Sequence, residues 1–503
     1  MILTRYSLRF RAEPIKPMNP IVLLSVVLGY FCLLLGVAWL TSRRATNDSF
    51  FIGNRSSHWL LVAFGMVGTS LSGVTFISVP GAVGRDAFSY FQLVAGHLIG
   101  FMVIAFVLLP LYYRLNLTSI YHYLGQRLGT TSYKTGASFF IVSRTFGATA
   151  RLYLVINILQ AAILDRLGVP FWVTTLVILL MILLYTFEGG VKTIVWTDTL
   201  QTSCMLIGLL ICVYFLLDQM HIGLAESLAA MEQRGLSKIL VLESDSRLFV
   251  VKQVLAGIFI TIAMSGLDQE MMQKNISVRT LADSQKNMVL MALVFTGVVL
   301  LFLFLGGLLH LFAAQTGMQE TGDKLFAAVV LGHMPAFIQI IFIIALISAL
   351  FPSADGAITA LTSSFCIDLL GLQSHSDWSP EQKKRVRQHV HLGFAALFLA
   401  LVMGFKWIND PSMIGLILKL AAYTYGPLLG LFAFGILTQR SVRDRWVPWV
   451  AFASPALCFA IDANQRALFG SYQLGLEILL LNGALTFGGL WMLSIPKKPH
   501  AAL

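Results

Sequence analysis

Three glycines, Gly65, Gly68 and Gly73, alternate with Thr69, Ser70, Ser72 and Thr75 inside one apolar stretch, Phe64–Ser78. Glycine loosens a helix, and freed carbonyls with hydroxyls are hard oxygen donors of the kind that alkali and alkaline-earth cations take. At membrane depth, non-helical backbone is tolerated only where it lines a cavity or is buried in protein. A broken membrane helix whose carbonyls face a cation is one way to build an ion site. The competing reading is that small residues let helices approach closely. A second run favours the first reading: Met264-Ser265-Gly-Leu267, within Gly257–Glu270, echoes Leu71-Ser72-Gly-Val74.

Two further stretches supply oxygens and charge. In Ser348–Ser364, Pro352 lacks an N–H and frees a carbonyl upstream, while Ser353, Asp355, Thr359 and Thr362 add side-chain donors. A lone carboxylate in such a stretch costs roughly 2.5–3.5 kcal/mol even on a lenient insertion scale, so Asp355 is a functional candidate or a carboxylate bonded to nearby hydroxyls. In Tyr185–Gln201, Asp198 is acidic within another apolar stretch. Arg144 and Arg151 lie seven apart and share a helix face. Arg144 falls toward the end of its stretch and can snorkel. Arg151 falls near the middle, where its fork can bind a carboxylate or serve a structural pair with Asp198 or helix carbonyls. Gln92, His97 and Tyr90 are further polar candidates; a His on such a face is more often a packing hydrogen-bonder than a ligand.

The elements that must position these groups are membrane helices. The 503 residues are 57% hydrophobic and only 12% charged, against about 25% charged in soluble domains. Thirteen spans are expected, at 20–41, 57–80, 88–112, 136–163, 169–187, 191–217, 250–272, 287–313, 335–367, 391–406, 412–436, 446–463 and 473–494. Alternate loops then carry nineteen Lys and Arg, with Lys274 among them, against eight in the opposite loops. The positive-inside rule therefore predicts a cytoplasmic C-terminus and an outside N-terminus in a multi-pass protein of the cell (inner) membrane. The net charge of +11 is topological on this reading, which excludes a nucleic-acid patch.

The segments divide as a tail 1–19, a first helix 20–41, a five-helix block 57–217, an outside loop 218–249, a second five-helix block 250–436, two helices within 446–494 and a tail 495–503. Apolar spacing at Leu224, Leu228 and Met231 predicts a short helix in the loop. Arg5, Arg9, Arg11 and Lys16 run against the topology, and the run from Met18 reads as a natural start, leaving 1–17 as a misassigned or added leader. The five cysteines have no metal spacing and read as small packing residues. No nucleophile elbow, phosphate loop or His/Glu metal motif occurs in context, so an enzyme is not expected.

The run Gly189-Gly-x-x-x-x-Val-Trp-Thr-Asp198-x-x-Gln201 closely resembles the signature of the sodium/solute symporter family, whose members carry sugars, proline, sialic acid, iodide and monocarboxylates. Phe51-Ile-Gly-Asn-Arg55 and Ser353-Ala-Asp355 resemble it too, and the likeness extends from residue 20 onward. It implies an all-α protein with a five-plus-five inverted-repeat core, one helix before it and two after. It also implies a sodium site formed by the carbonyls of Gly68, Leu71, Ala349 and Pro352 and the hydroxyl of Ser353. The family places a hydroxyl residue where Pro352 stands. A second ion site in some members uses the aspartate matching Asp198, with Asp355 and Gly356 here replacing two serines.

On the solute side, Val74-Thr75 replaces the Glu-Gln pair of sugar carriers, and sialic acid carriers use an arginine on the helix of Arg151. The expected function is sodium-coupled symport of a small organic solute by alternating access, with Ser70, Ser72, Thr75, Gln92, Arg151 and Ser265 as solute contacts. The partners implied are the solute, Na+ and the lipid bilayer, with no nucleic acid and no obligate protein partner. The alternatives are a sodium-independent uniporter or channel on the same scaffold, and a symporter of a neutral sugar derivative or an amino acid.

Overall fold

The computed structural model describes residues 18–42, 50–51, 55–374, 377–408 and 413–496. The leader 1–17, Arg43, Arg44, residues 52–54 of the Phe51–Arg55 run, and Lys497 and Lys498 of the C-terminal tail lie outside them.

Long apolar runs make helices: α1 (Pro20–Ser42), α2 (Trp59–Asp86), α3 (Tyr90–Arg114), α4 (Thr130–Leu167), α5 (Phe171–Phe187) and α6 (Thr193–Gln219). A short helix, α7 (Leu224–Gln233), precedes α8 (Val250–Gly266) and α9 (Gln269–Ile276). Then follow α10 (Leu281–Thr316), α11 (Leu325–His333), α12 (Ala336–Leu369), α13 (Pro380–Trp407), α14 (Ile414–Thr424), α15 (Gly426–Leu437), α16 (Asp444–Ala463) and α17 (Ile478–Met492). Among the described residues nine helices are long and apolar enough to cross a membrane, and the bent pairs α8/α9 and α14/α15 raise this to eleven. The expected thirteen require α5 and α17 as well, which are apolar but shorter.

Each five-helix block opens on an interrupted helix. In α2 the backbone leaves the helix at Ser72, with φ 52° and ψ 168°. At the start of the second block, α8 ends in a turn of π-helix at Ile262–Gly266, and the chain bends by 65° into α9. Between α5 and α6 the chain turns at Gly190, whose φ of 54° suits glycine. A Cβ there would also strike the backbone of Phe50.

α2 is buried along most of its length. Close approach explains its glycines: a Cβ on Gly65 would lie 3.1 Å from Asp198 Cβ, and one on Gly68 would strike Thr202, both on α6. Likewise Gly96 of α3 faces Gly257 of α8 almost backbone to backbone. α7 forms where the spacing predicts a helix, and Met231 is fully buried against Gly307 of α10, but Leu224 and Leu228 of the same pattern are exposed. Asp444 closes the N-terminus of α4, accepting from the amides of Thr131 and Ser132 at 2.7 Å each.

Candidate functional site

The break in α2 faces a cavity of about 110 Å³, walled by α2, α3, α4, α8, α9, α10 and α14. Ser70, Ser72, Thr75, Arg151 and Ser265 all line it, with Tyr90 and His97. Ser70 Oγ is buried there without a hydrogen-bond partner among the described residues. His97 Nδ1 lies 3.0 Å from the Gly257 carbonyl and 2.7 Å from Thr261 Oγ1, so it ties α3 to α8. Gln92, expected at the solute site, lies elsewhere. Its amide donates to the carbonyls of Ser89 and Leu248, and its oxygen accepts from Val241 N, pinning the 237–250 loop to α3. Tyr90, His97 and Phe101 share the face of α3 that lines the cavity, and Gln92, two residues from Tyr90, lies on the opposite face, as the helical period requires.

The two arginines of α4 have different partners. Arg144 does not snorkel: it is 4% exposed, pairs with Glu270, and has Asp268 Oδ2 at 3.8 Å. Arg151 makes no ion pair or hydrogen bond among the described residues, is partly buried, and lines the cavity. Asp198 is not its partner. Asp198 is fully buried, and its Oδ2 accepts from Lys274 Nζ at 2.6 Å, with Thr69 Oγ1 at 3.2 Å.

Lys274, expected in a cytoplasmic loop, belongs to α9 and is 3% exposed. Its ammonium also reaches Thr69 Oγ1 at 2.7 Å and Glu270 Oε1 at 3.6 Å. Asp268 caps α9, accepting from the amides of Glu270 and Met271, and takes the Tyr425 hydroxyl at 2.8 Å. This network of Asp198, Lys274, Glu270, Arg144 and Asp268 is what the sequence reading missed. The signal was present: an Asp followed by a Glu–Lys pair four apart marks a short capped helix. Asp355 does not join Asp198; its oxygens accept from the Tyr185 hydroxyl at 2.7 Å and from Gly356 N at 2.5 Å.

The α2 break also approaches α12. A Cβ on Gly73 would lie 3.7 Å from the Ala349 carbonyl oxygen, so the unwound turn and the stretch above Pro352 face each other at backbone distance. α12 stays helical through Pro352. Ser353 is buried and donates its hydroxyl proton to the Leu350 carbonyl at 2.8 Å, which leaves lone pairs on Oγ. Gly68 and Leu71 lie in the turn before the break, and Leu71 is fully buried. Carbonyls released on one helix, a proline-perturbed helix opposite and one hydroxyl with spare lone pairs suit an alkali cation.

Among curated proteins, the sodium/sialic acid symporter SiaT of Proteus mirabilis is 22% identical over 478 residues, covering 92% of this chain and 94% of its own length. The sodium/sialic acid symporter NanT of Aliivibrio fischeri is 21% identical, covering 90% and 89%. Among solved structures, the substrate-bound outward-open state of a Na+-coupled sialic acid symporter superposes with a TM-score of 0.79 at 20% identity, covering 94% of this chain and 97% of that one. This likeness carries the five-plus-five fold. The model of the Sodium:solute symporter family matches residues 50–444, well over half of the sequence, and the chain belongs to that family of sodium-coupled secondary transporters.

Proposed function

We propose that the chain carries a small organic carboxylate together with sodium across the membrane by alternating access. The observation that supports this is Arg151. Arg144, which lines the same cavity, and Lys274 each have a carboxylate within 4 Å, whereas Arg151, partly buried on the cavity wall, meets none among the described residues. A membrane-buried guanidinium in that position gains most from a carboxylate brought by the solute, held bidentately. The hydroxyls of Ser70, Ser72, Thr75 and Ser265 would hold neutral parts of the same molecule.

No Asp or Glu lines the cavity among the described residues, which disfavours the ammonium of an amino acid. The sialic acid named for two of the relatives is itself a carboxylate. The carbonyls of Gly68, Leu71, Ala349 and Pro352 and Ser353 Oγ would hold sodium, which when bound supplies positive charge between α2 and α12.

The access route supports the same reading. The cavity shares Tyr90, Ile414 and Leu418 with a vestibule of about 260 Å³ bordered by Arg85, Asp86 and Arg247. The other end of the cavity lies toward the Arg144–Glu270 and Lys274–Asp198 pairs and the Tyr121–Leu267 hydrogen bond. With the charge asymmetry of the loops, we assign the vestibule to the outside, the N-terminus to the outside and the C-terminus to the cytoplasm. We also take the two shorter helices as spans, giving thirteen, and the chain as working without an obligate protein partner. A thermal-stability screen of purified protein against carboxylates, neutral sugars and amino acids, in sodium and in choline, tests the reading. Stabilisation by an acid only in sodium is expected; stabilisation by an uncharged solute defeats the carboxylate assignment, and indifference to sodium favours a uniporter.

A further inference from the structure

The oxygen-lined pocket at Asp198 already contains a cation. Asp198 Oδ2, Thr69 Oγ1 and Glu270 Oε1 converge on the Lys274 ammonium at 2.6, 2.7 and 3.6 Å. Three oxygens, two of them anionic, around a buried positive charge make the shell that a hard cation would take. Here the charge is tethered to α9. A second sodium at Asp198 would sit against an ammonium in a buried, weakly screened place, and the residues do not fit one. Asp355, the other acid expected at such a site, is turned toward Tyr185 and its own helix amide.

We infer that Lys274 stands in for a second coupling cation, so that this chain moves one sodium per solute. The charges agree. Lys274 pairs with Asp198 and Arg144 with Glu270, Asp268 is held by two amides and the Tyr425 hydroxyl, and Arg151 stays free for the solute. The Asp355 carboxylate lies two residues from Ser353 at the single sodium position. The inference rests on the sodium-symport reading, and it constrains the energetics. One sodium with a monoanion moves no net charge. Two would move one charge inward, changing accumulation about 50-fold per 100 mV, the equivalent of roughly 2.3 kcal/mol.

Sodium alone is the probe. Purified full-length protein is titrated with NaCl at constant ionic strength, with choline as the replacement, and bound sodium is counted by calorimetry. One site is expected in wild type and in Asp198→Asn. A second site is expected to appear in Lys274→Met, which vacates the pocket. If that variant does not fold, Asp198→Asn/Lys274→Met removes both charges, and one retained sodium is expected. In proteoliposomes, wild-type accumulation of a monocarboxylate should not respond to an imposed potassium-diffusion potential. Two sodium ions in wild type falling to one in Asp198→Asn overturn the inference. So does a folded Lys274→Met that gains no sodium, a double variant that loses sodium binding altogether, or a 50-fold voltage response in wild type. Absence of any sodium binding in wild type defeats the sodium-coupled reading itself, and this inference with it.

Discussion

Arg144 and Arg151 occupy one face of one helix, yet the fold gives them different work. The first is locked to Glu270 by the bend that brings α9 inward; the second is left to the cavity. Replacing Arg151 by Lys keeps the charge and loses the planar fork. Charge-assisted hydrogen bonds are worth about 1.5–3 kcal/mol, so carboxylate affinity should fall on the order of 10- to 100-fold with little change in melting temperature. Solute titrations of the two proteins at saturating sodium check this, and equal affinities refute the contact. Ser353 offers a second test at this scale. Its hydroxyl proton serves a carbonyl of its own helix, so Ser353→Ala should fold normally. Its sodium half-saturation should nonetheless rise several-fold; an unchanged sodium curve removes Ser353 from the site. Arg151 and Ser353 were visible in the sequence by type and depth, but the pairing of Arg144 was not, because nothing along α4 records which acid α9 delivers.

At the scale of elements, the breaks were the legible part. The Gly/Ser/Thr run predicted the interruption of α2, and Gly190 falls where the chain must reverse between α5 and α6. What stayed hidden was α9. The expected span 250–272 takes in only the first half of Gln269–Ile276 and leaves Lys274 in a loop, and the 65° bend after Gly266 is what returns these charges to the interior. The register of that bend depends on long-range contacts, the Tyr112 and Tyr121 hydroxyls donating to the carbonyls of Gly266 and Leu267, which no local pattern encodes. The α2 break itself is strained. Ser72 holds φ 52° with ψ 168°, a combination suited to glycine, at a cost of about 1–3 kcal/mol. Ser72→Gly should therefore raise the melting temperature while weakening the solute, whose contact loses a hydroxyl. A lower melting temperature would show instead that the hydroxyl stabilises the turn more than the strain costs.

For the whole molecule, the consequence is directional access. The central cavity continues through Tyr90, Ile414 and Leu418 into the vestibule beside Arg85, while ion pairs and tyrosine hydroxyls crowd the opposite end. The proposed orientation, with the vestibule outside, rests on loop charges, because geometry alone cannot orient two blocks that are inverted copies. Ala82 lies on the vestibule wall and is half-buried, so a thiol there reports which face is open. In a background lacking the five native cysteines, Ala82→Cys should react with a membrane-impermeant maleimide added to intact cells. A cysteine appended at the C-terminus should react only after permeabilisation. Addition of a transported carboxylate with sodium should slow the Ala82→Cys reaction, because occupancy drives the molecule toward the state with the vestibule shut. Labelling of Ala82→Cys only in permeabilised cells would reverse the assigned orientation. Labelling at the same rate with and without solute would mean that the vestibule is not on the transport path.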